Sequence, residues 1–404
     1  MAKTSGSGST ASDMTTSSAA YSRRHSRKVA LYMAAVFLYW MGLYLYVPTL
    51  SVYVRTKTDN LAMVGTVLSM YGLWQAIVRL PVGIAADWLG WRKPFLVGGF
   101  ILVGLGAWLM GAGNDVTDLL IGRGVTGLAA ATWVPLIAVF SALFLPEDAV
   151  RATAMLTLAG SLGRATAMIA NGPLNHWGGY PLAFFVAAGV AAVATLVILL
   201  VPERRRPPKR PSLKRIGTLI VRRDVLLPAL ISAVAQYVTW TATFTFTPVL
   251  AEQLGASDFL LSGLALMNIT VITLGNLLTT SVVKRVGPRR MIILSFVLLN
   301  GGMGILAFAS TLPMVFVAQA LMGLATSIGY PTLMGMSIEY VDDAERATAM
   351  GLHQSVYAIG MFAGPWLSGI LADAVGIQPM FGVDCRGGLV KDILGESRLA
   401  QKAR

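Results

Sequence analysis

The chain carries eleven apolar runs, most of about 20 residues or more and nearly free of charge. A run of that length coils into a helix that covers the ~30 Å hydrocarbon core of a bilayer. The runs fall at roughly 29–53, 62–85, 94–113, 117–144, 151–173, 181–201, 225–250, 258–282, 291–310, 313–338 and 347–371. The first follows Arg23, Arg24, Arg27 and Lys28, and it is too long for a signal-peptide core. Only 13% of the residues are charged, about half the share of a soluble domain. Inside lipid every backbone N–H and C=O must pair within its own segment, so the predicted fold class is an all-α polytopic membrane protein. The single Cys385 excludes an internal disulfide framework, and His25, His176 and His353 are too scattered for a ligand motif. No cofactor or metal is expected. No Ser–His set or His/Glu metal pair lies within the spans, so the chain does not read as an enzyme.

The punctuation between the runs sets the organisation. Residues 1–28 read as a disordered basic tail, 29–201 as an N-terminal bundle of spans one to six, and 202–224 as a basic linker rich in Arg and Pro. Residues 225–376 read as a C-terminal bundle of spans seven to eleven, and 377–404 as a polar tail in place of a degraded span twelve. Charges such as Asp384 and Lys391 there insert poorly, at ~2.5–3.5 kcal/mol each near a span centre. With the N-terminus inside, cytoplasmic segments hold 22 Lys and Arg and external loops hold two, Arg55 and Lys57. That asymmetry predicts a plasma (inner) membrane protein with a cytoplasmic N-terminus. It also accounts for the net charge of +13 without nucleic acid as a partner.

The two halves resemble each other at a spacing of about 196 residues. Tyr39 to Pro48 in span one lines up with Thr239 to Pro248 in span seven, Trp on Trp and Pro on Pro. Gly127-Leu128-Ala129 and Pro135 match Gly323-Leu324-Ala325 and Pro331, and Arg151 to Met155 recurs as Arg346 to Met350. Gly172-Pro173 recurs, slipped by about a turn, as Gly364-Pro365. Spans one and seven run the same way, so the repeat is parallel, as in transporters built from two six-helix bundles.

Gly83 to Lys93 (Gly-Ile-Ala-Ala-Asp-Trp-Leu-Gly-Trp-Arg-Lys) resembles the loop 2–3 signature of the major facilitator superfamily, G-x-x-x-D-R-x-G-R-[RK]. Arg123 to Gly127 is similar to that family's R-x-x-x-G pattern in span four, and Gly172-Pro173 to the antiporter motif of its efflux members. Trp88 and Trp91 stand where the family has arginines. The resemblance implies a twelve-helix plan with alternating access. It also implies a gate in which Asp87 meets the positive N-terminal end of span eleven, with Gly83, Gly90, Arg92 and Lys93 in the same loop and Lys284 at the repeat position.

Arg79, Arg123 and Arg164 lie within spans, whereas every Asp and Glu reads as falling in a loop or at a span end. A guanidinium in hydrocarbon is expensive, so these three should face a wet interior. Arg79 corresponds in the repeat to Asn276, Arg123 corresponds to Gln319, and Gln75 lies one turn before Arg79 on the same face. A cationic wall without a buried carboxylate favours an anion or zwitterion. Tyr39, Trp40, Tyr44, Tyr237 and Trp240 are candidate stacking partners, with Asn268 and Tyr357 as further polar lining. Each of these residues also has a purely structural reading, as a helix strut or packing group. His353 is the one histidine within a span and the candidate coupling group, with protons as the candidate ion. The expected protein is a monomeric exporter of a small organic solute. The rivals are a proton-coupled multidrug efflux pump and a non-transporting sensor or inactive truncated transporter.

Overall fold

A computed structural model describes residues 10–145, 148–203, 205, 213–342 and 345–386. Span one comprises α1 (Thr10–Tyr44), a 3-10 turn (Val47–Thr49) and α2 (Leu50–Arg55). Spans two and three are α3 (Leu61–Leu89) and α4 (Lys93–Ala112), and span four is α5 (Val116–Ala130) with α6 (Trp133–Ser141). Spans five and six share α7 (Ala149–Leu200), and the linker holds α8 (Leu213–Val221). Span seven is α9 (Arg223–Thr239), a π-helical segment (Trp240–Phe246) and α10 (Thr247–Gln253). Then come α11 (Asp258–Val286), α12 (Pro288–Ala307), α13 (Leu312–Ile338), α14 (Arg346–Val375) and α15 (Ile377–Arg386).

Among the described residues, ten helices are long and apolar enough to cross a membrane. The longest, inside α7, breaks at Gly178 and Gly179 and so makes two crossings. Gly179 has φ 68°, a conformation that a side chain would resist, and Pro181 cannot donate back into the upstream helix. Ile101, Leu196, Leu277 and Val297 are exposed, as side chains that face lipid must be. The halves meet where α3 packs on α14 and α7 on α11, and each half keeps its own apolar core.

Caps mark the helix starts that the sequence suggests. Asn60 accepts from the N–H of Met63 (2.7 Å) at the start of α3. Asp115 and Asp118 form a reciprocal capping box on α5. Glu203 reaches across from the end of span six and accepts from the N–H groups of Arg92 (3.2 Å) and Lys93 (2.6 Å) at the start of α4. Glu203→Ala should therefore destabilise the purified protein by about 1–2 kcal/mol, read as a lower unfolding temperature in detergent.

Three of the segments carry helix that their sequence readings did not include. Within the 1–28 tail, helix starts at Thr10 and runs unbroken into span one. Once the apolar span is nucleated, adding Ala, Ser and Thr residues is cheap, and no Pro or Gly follows Gly8 to stop it. Within the 202–224 linker, α8 forms because Leu219 docks against Val225, Val341, Ala349 and Leu352, and span seven begins at Arg223. Within the 377–404 tail, residues 377–386 are helical, because Ile377, Met380 and Phe381 share one face and are buried against α12 and α14. Residues 387–404 lie outside the described residues, as does the side chain of Lys284.

Candidate functional site

Two helix breaks at repeat-equivalent positions organise the centre of the protein. Pro48 and Pro248 have no N–H, so the carbonyls of Tyr44 and Phe244, four residues earlier, cannot be paired in the α-helical way. Span one responds by tightening into the 3-10 turn and span seven by widening into the π segment, a form frequent at functional sites. Carbonyls beside the breaks gain side-chain donors. Thr245 Oγ1 donates to Trp240 O (2.8 Å), and Asn171 Nδ2 donates to Leu45 O (2.9 Å). Between the breaks lies a small pocket lined among others by Pro48, Thr243, Phe244, Pro248, Asn268 and Gln319.

The three intramembrane arginines each meet aromatic rings. The Arg123 guanidinium lies 4.2 Å from the Tyr71 ring centroid, Tyr71 stacks on Trp240 at 5.3 Å, and Trp240 meets Phe244 at 4.8 Å. This row crosses from one bundle to the other. Arg164 lies 4.7 Å from the Trp40 ring and 5.8 Å from Tyr44, and it donates to Ser161 Oγ (3.4 Å). Arg79 donates to Tyr357 Oη on the opposite bundle (2.7 Å), to Gln75 Oε1, and to Ala130 O (3.4 Å). Among the described residues no carboxylate pairs with any of the three, and the Nε of each is buried without a partner.

The other expected residues divide. Asn268 Nδ2 donates to Gln319 O (3.0 Å) and Oε1 (3.1 Å), and the Gln319 Nε2 is buried without a partner beside the pocket. Asn276 is half-buried on α11, away from that pair. Tyr39 is fully buried in the N-terminal core, where its hydroxyl donates to Ala129 O (3.0 Å) and its ring meets Phe100. Tyr237 turns into the C-terminal bundle towards Ser368. His353 is enclosed, with Nδ1 2.7 Å from Ser337 Oγ and its ring 6.1 Å from Tyr357. In the loop after span two, the Asp87 carboxylate is held by Arg92 (3.1 Å from Nε), and Lys93 Nζ donates to Leu199 O and Val201 O (2.8 Å each). Gly90 ends α3 at φ 62°, and a side chain at Gly83 would approach only Val134.

Sequence reasoning missed several residues. Tyr71 sits one turn before Gln75, and that spacing could have found it. Thr49, Asn171 and Ser262 tie the halves together, with Ser262 Oγ donating to Asn171 Oδ1 (3.0 Å). Asn171 stands directly before Gly172-Pro173. Asp384, read as part of the 377–404 polar tail, turns inward to Ser368 (2.9 Å). Among the described residues no three His, Cys, Asp or Glu side chains gather as a metal site.

A helical bundle pair, joined across a polar, aromatic-lined centre and enclosed by lipid-facing helices, defines a multi-pass membrane transporter. The family model of the Major Facilitator Superfamily matches residues 32–280 and 229–390, and the chain belongs to that superfamily. It is 23% identical to the "Multidrug resistance protein MdtH" of Aeromonas salmonicida, over 79% of this chain and 84% of that one. It is 27% identical to the "Inner membrane transport protein YajR" of Escherichia coli, but it spans only 31% of that protein's length. Among solved structures it resembles an inward-facing, unoccupied bacterial homolog of the human lysosomal transporter Spinster, with a TM-score of 0.73 and 16% identity. That match covers 92% of this chain and 86% of the other and shows a shared fold.

Proposed function

We propose that this protein is a monomeric secondary exporter of small organic anions or zwitterions, coupled to protons, in the inner membrane with its N-terminus in the cytoplasm. The observation that carries the reading is the trio of intramembrane arginines, Arg79 and Arg123 buried and Arg164 half-buried. Each is boxed by aromatic rings rather than neutralised by a carboxylate, and each has an Nε donor to spare. In a partly dry site an uncompensated guanidinium attracts negative charge strongly, and its planar donors suit a carboxylate. Trp40, Tyr44 and Trp240 provide faces for the organic part of the solute. Gln75, Tyr357, Asn268 and Gln319 provide polar contacts.

The geometry fits one state of an alternating-access cycle. At the Asp373 end the halves are closed by three bonds between bundles. Leu61 N donates to Asp373 Oδ1 (2.9 Å), Tyr180 Oη to Asp258 Oδ1 (3.5 Å) and Ser262 Oγ to Asn171 Oδ1 (3.0 Å). With a cytoplasmic N-terminus, that end faces outside. At the other end Asp87 is occupied by Arg92 within its own loop. In the outward-open state the carboxylate would move to the start of α14, where the helix dipole attracts an anion.

Export is favoured over uptake by the Gly172-Pro173 element and by the likeness to MdtH. The same likeness supports a second reading, a proton-coupled multidrug pump that prefers lipophilic cations. Counterflow in proteoliposomes with p-aminohippurate (anion), glycine betaine (zwitterion) and ethidium (cation) separates the readings. We expect exchange of the first two to exceed that of ethidium by at least tenfold. Ethidium alone would favour the multidrug pump, and no exchange of any probe would favour the non-transporting protein.

A further inference from the structure

Behind the π segment of span seven lies a polar cluster that the cationic centre does not use. Asp384, on α15, accepts from Ser368 Oγ (2.9 Å) on α14 and from Tyr237 Oη (3.4 Å) on α9. Tyr237 Oη and Ser368 Oγ are themselves 2.9 Å apart, and Ser368 Oγ is 3.1 Å from Thr241 Oγ1 inside the π segment. Asp384 and Ser368 each lie eight residues from Gly376 on antiparallel helices, which puts both about 12 Å in from that turn at 1.5 Å per residue. Tyr237 lies near the middle of the Arg223–Gln253 span. The cluster is therefore well inside the membrane.

The ionisable groups on the elements packed around it are few. On α9 they are Arg223, Asp224 and Tyr237; on α12, Arg289 and Arg290; on α14, Arg346, His353, Tyr357 and Asp373; and on α15 itself Cys385 and Arg386, whose side chains lie outside the described residues. Among the described residues, Tyr237 is the one hydrogen-bonded to the carboxylate, and no Lys, Arg or His pairs with it. Held by two hydroxyls and, among the described residues, by no cation, this half-buried carboxylate is suited to exist in both protonation states.

We propose that Asp384 is the proton-carrying group of this transporter, and that its protonation is relayed through Ser368 to the π segment of span seven. This rests on the proton-coupled reading above. When ionised, the carboxylate accepts from both hydroxyls, so the Ser368 hydroxyl points at Asp384 and its oxygen is left to accept from Thr241. A proton from water on one side, bound at an Asp384 oxygen, turns that oxygen into a donor. The Ser368 hydroxyl is then released to donate to Thr241, and the bond to the π segment reverses. Release of the same proton to water on the other side restores the first arrangement. The π segment carries Trp240 on the central row and Thr243 and Phe244 on the pocket, so the hydroxyl relay joins the proton site to the solute site. Such a coupling needs an element with two arrangements, a part that the proposal assigns to the π segment.

The direct test needs no solute. Infrared difference spectra of the full-length protein in vesicles, taken between pH 5 and pH 8, should contain a protonated carboxylic-acid band that is missing from Asp384→Asn and returns, shifted, in Asp384→Glu. The same band in wild type and Asp384→Asn overturns the proposal. The functional test uses p-aminohippurate. Asp384→Asn should lose at least tenfold in accumulation driven by a pH gradient, while Asp384→Glu should recover most of it. Gradient-driven accumulation by Asp384→Asn at the wild-type level also overturns the proposal. If wild type exchanges none of the three probes, the transport reading fails separately, and the infrared titration still decides Asp384.

Discussion

Gly65→Leu is expected to abolish transport in a protein that still inserts and purifies. A Cβ at Gly65 would lie 2.0 Å from the Pro365 carbonyl oxygen and 2.9 Å from Gly369 Cα. One at Gly72 would lie 2.5 Å from the backbone nitrogen of Phe362. These obstacles belong to the main chain of α14, so no side-chain rotation relieves them. The absence of side chains at such positions is what lets two membrane helices approach closely. A leucine at position 65 must wedge α3 away from α14 at the Asp373 end, and the Leu61–Asp373 bond goes with it. Overpacking of this kind costs about 1–3 kcal/mol. Here the cost falls on the closed state alone, because the helices part at that end when the protein opens there. At roughly tenfold per 1.4 kcal/mol, the population moves by one to two decades towards the opened state. With Cys385 replaced by Ser, Ser262→Cys reports this opening, because Ser262 is buried at the closed end. Its labelling by an impermeant maleimide applied from the Asp373 side should rise at least tenfold in Gly65→Leu. Counterflow of p-aminohippurate should fall to background. Gly98→Leu, where a Cβ has open space around it, should change neither. Unchanged labelling together with normal exchange in Gly65→Leu would sink the argument.

Much of this architecture can be read from the residues, and the part that cannot has a physical cause. Apolar length alone predicts the crossings, because a membrane leaves the backbone no alternative to helix. The three arginines are legible as interior groups for the same reason of solvation. The alignment of Pro48 with Pro248 marks the two broken helices, although their opposite responses, 3-10 in one and π in the other, are not written in the prolines themselves. Side-chain direction is harder to read. Tyr39 and Trp40 are adjacent, yet Tyr39 enters the core against Phe100 while Trp40 turns to Arg164. Span one presents both faces to protein, so neither residue has a lipid side to betray its role. The least legible group is Asp384. Its carboxylate lies beside polar residues that suggest a water-exposed tail, and only the fold back of α15 along α14 brings Ser368 and Tyr237 to it.

The second large effect is expected at Arg164, where charge and stacking act together. Its guanidinium is half-buried, 4.7 Å from the Trp40 ring, and bonded to Ser161 only weakly at 3.4 Å. A unit charge 4 Å from a solute carboxylate is worth about 4 kcal/mol at an effective dielectric of 20. Residual hydration and the cost of ordering the solute reduce that, so Arg164→Gln should raise the KM for p-aminohippurate ten- to a hundredfold. The KM for glycine betaine should rise less, because its ammonium gains what its carboxylate loses. Ethidium should be carried at least as well as by wild type, since a repulsive charge has gone. Arg164→Lys separates charge from shape. An ammonium keeps the sign but loses the planar fork that stacks on an indole, so it should restore only part of the affinity for the anion. Arg123 provides the contrast: it is enclosed on Tyr71 in the row that leads to Trp240. Replacing it should lower the rate for every probe rather than the preference among them. If Arg164→Gln depresses all three solutes equally, its guanidinium is a strut between spans one and five, and the solute's charge is read elsewhere.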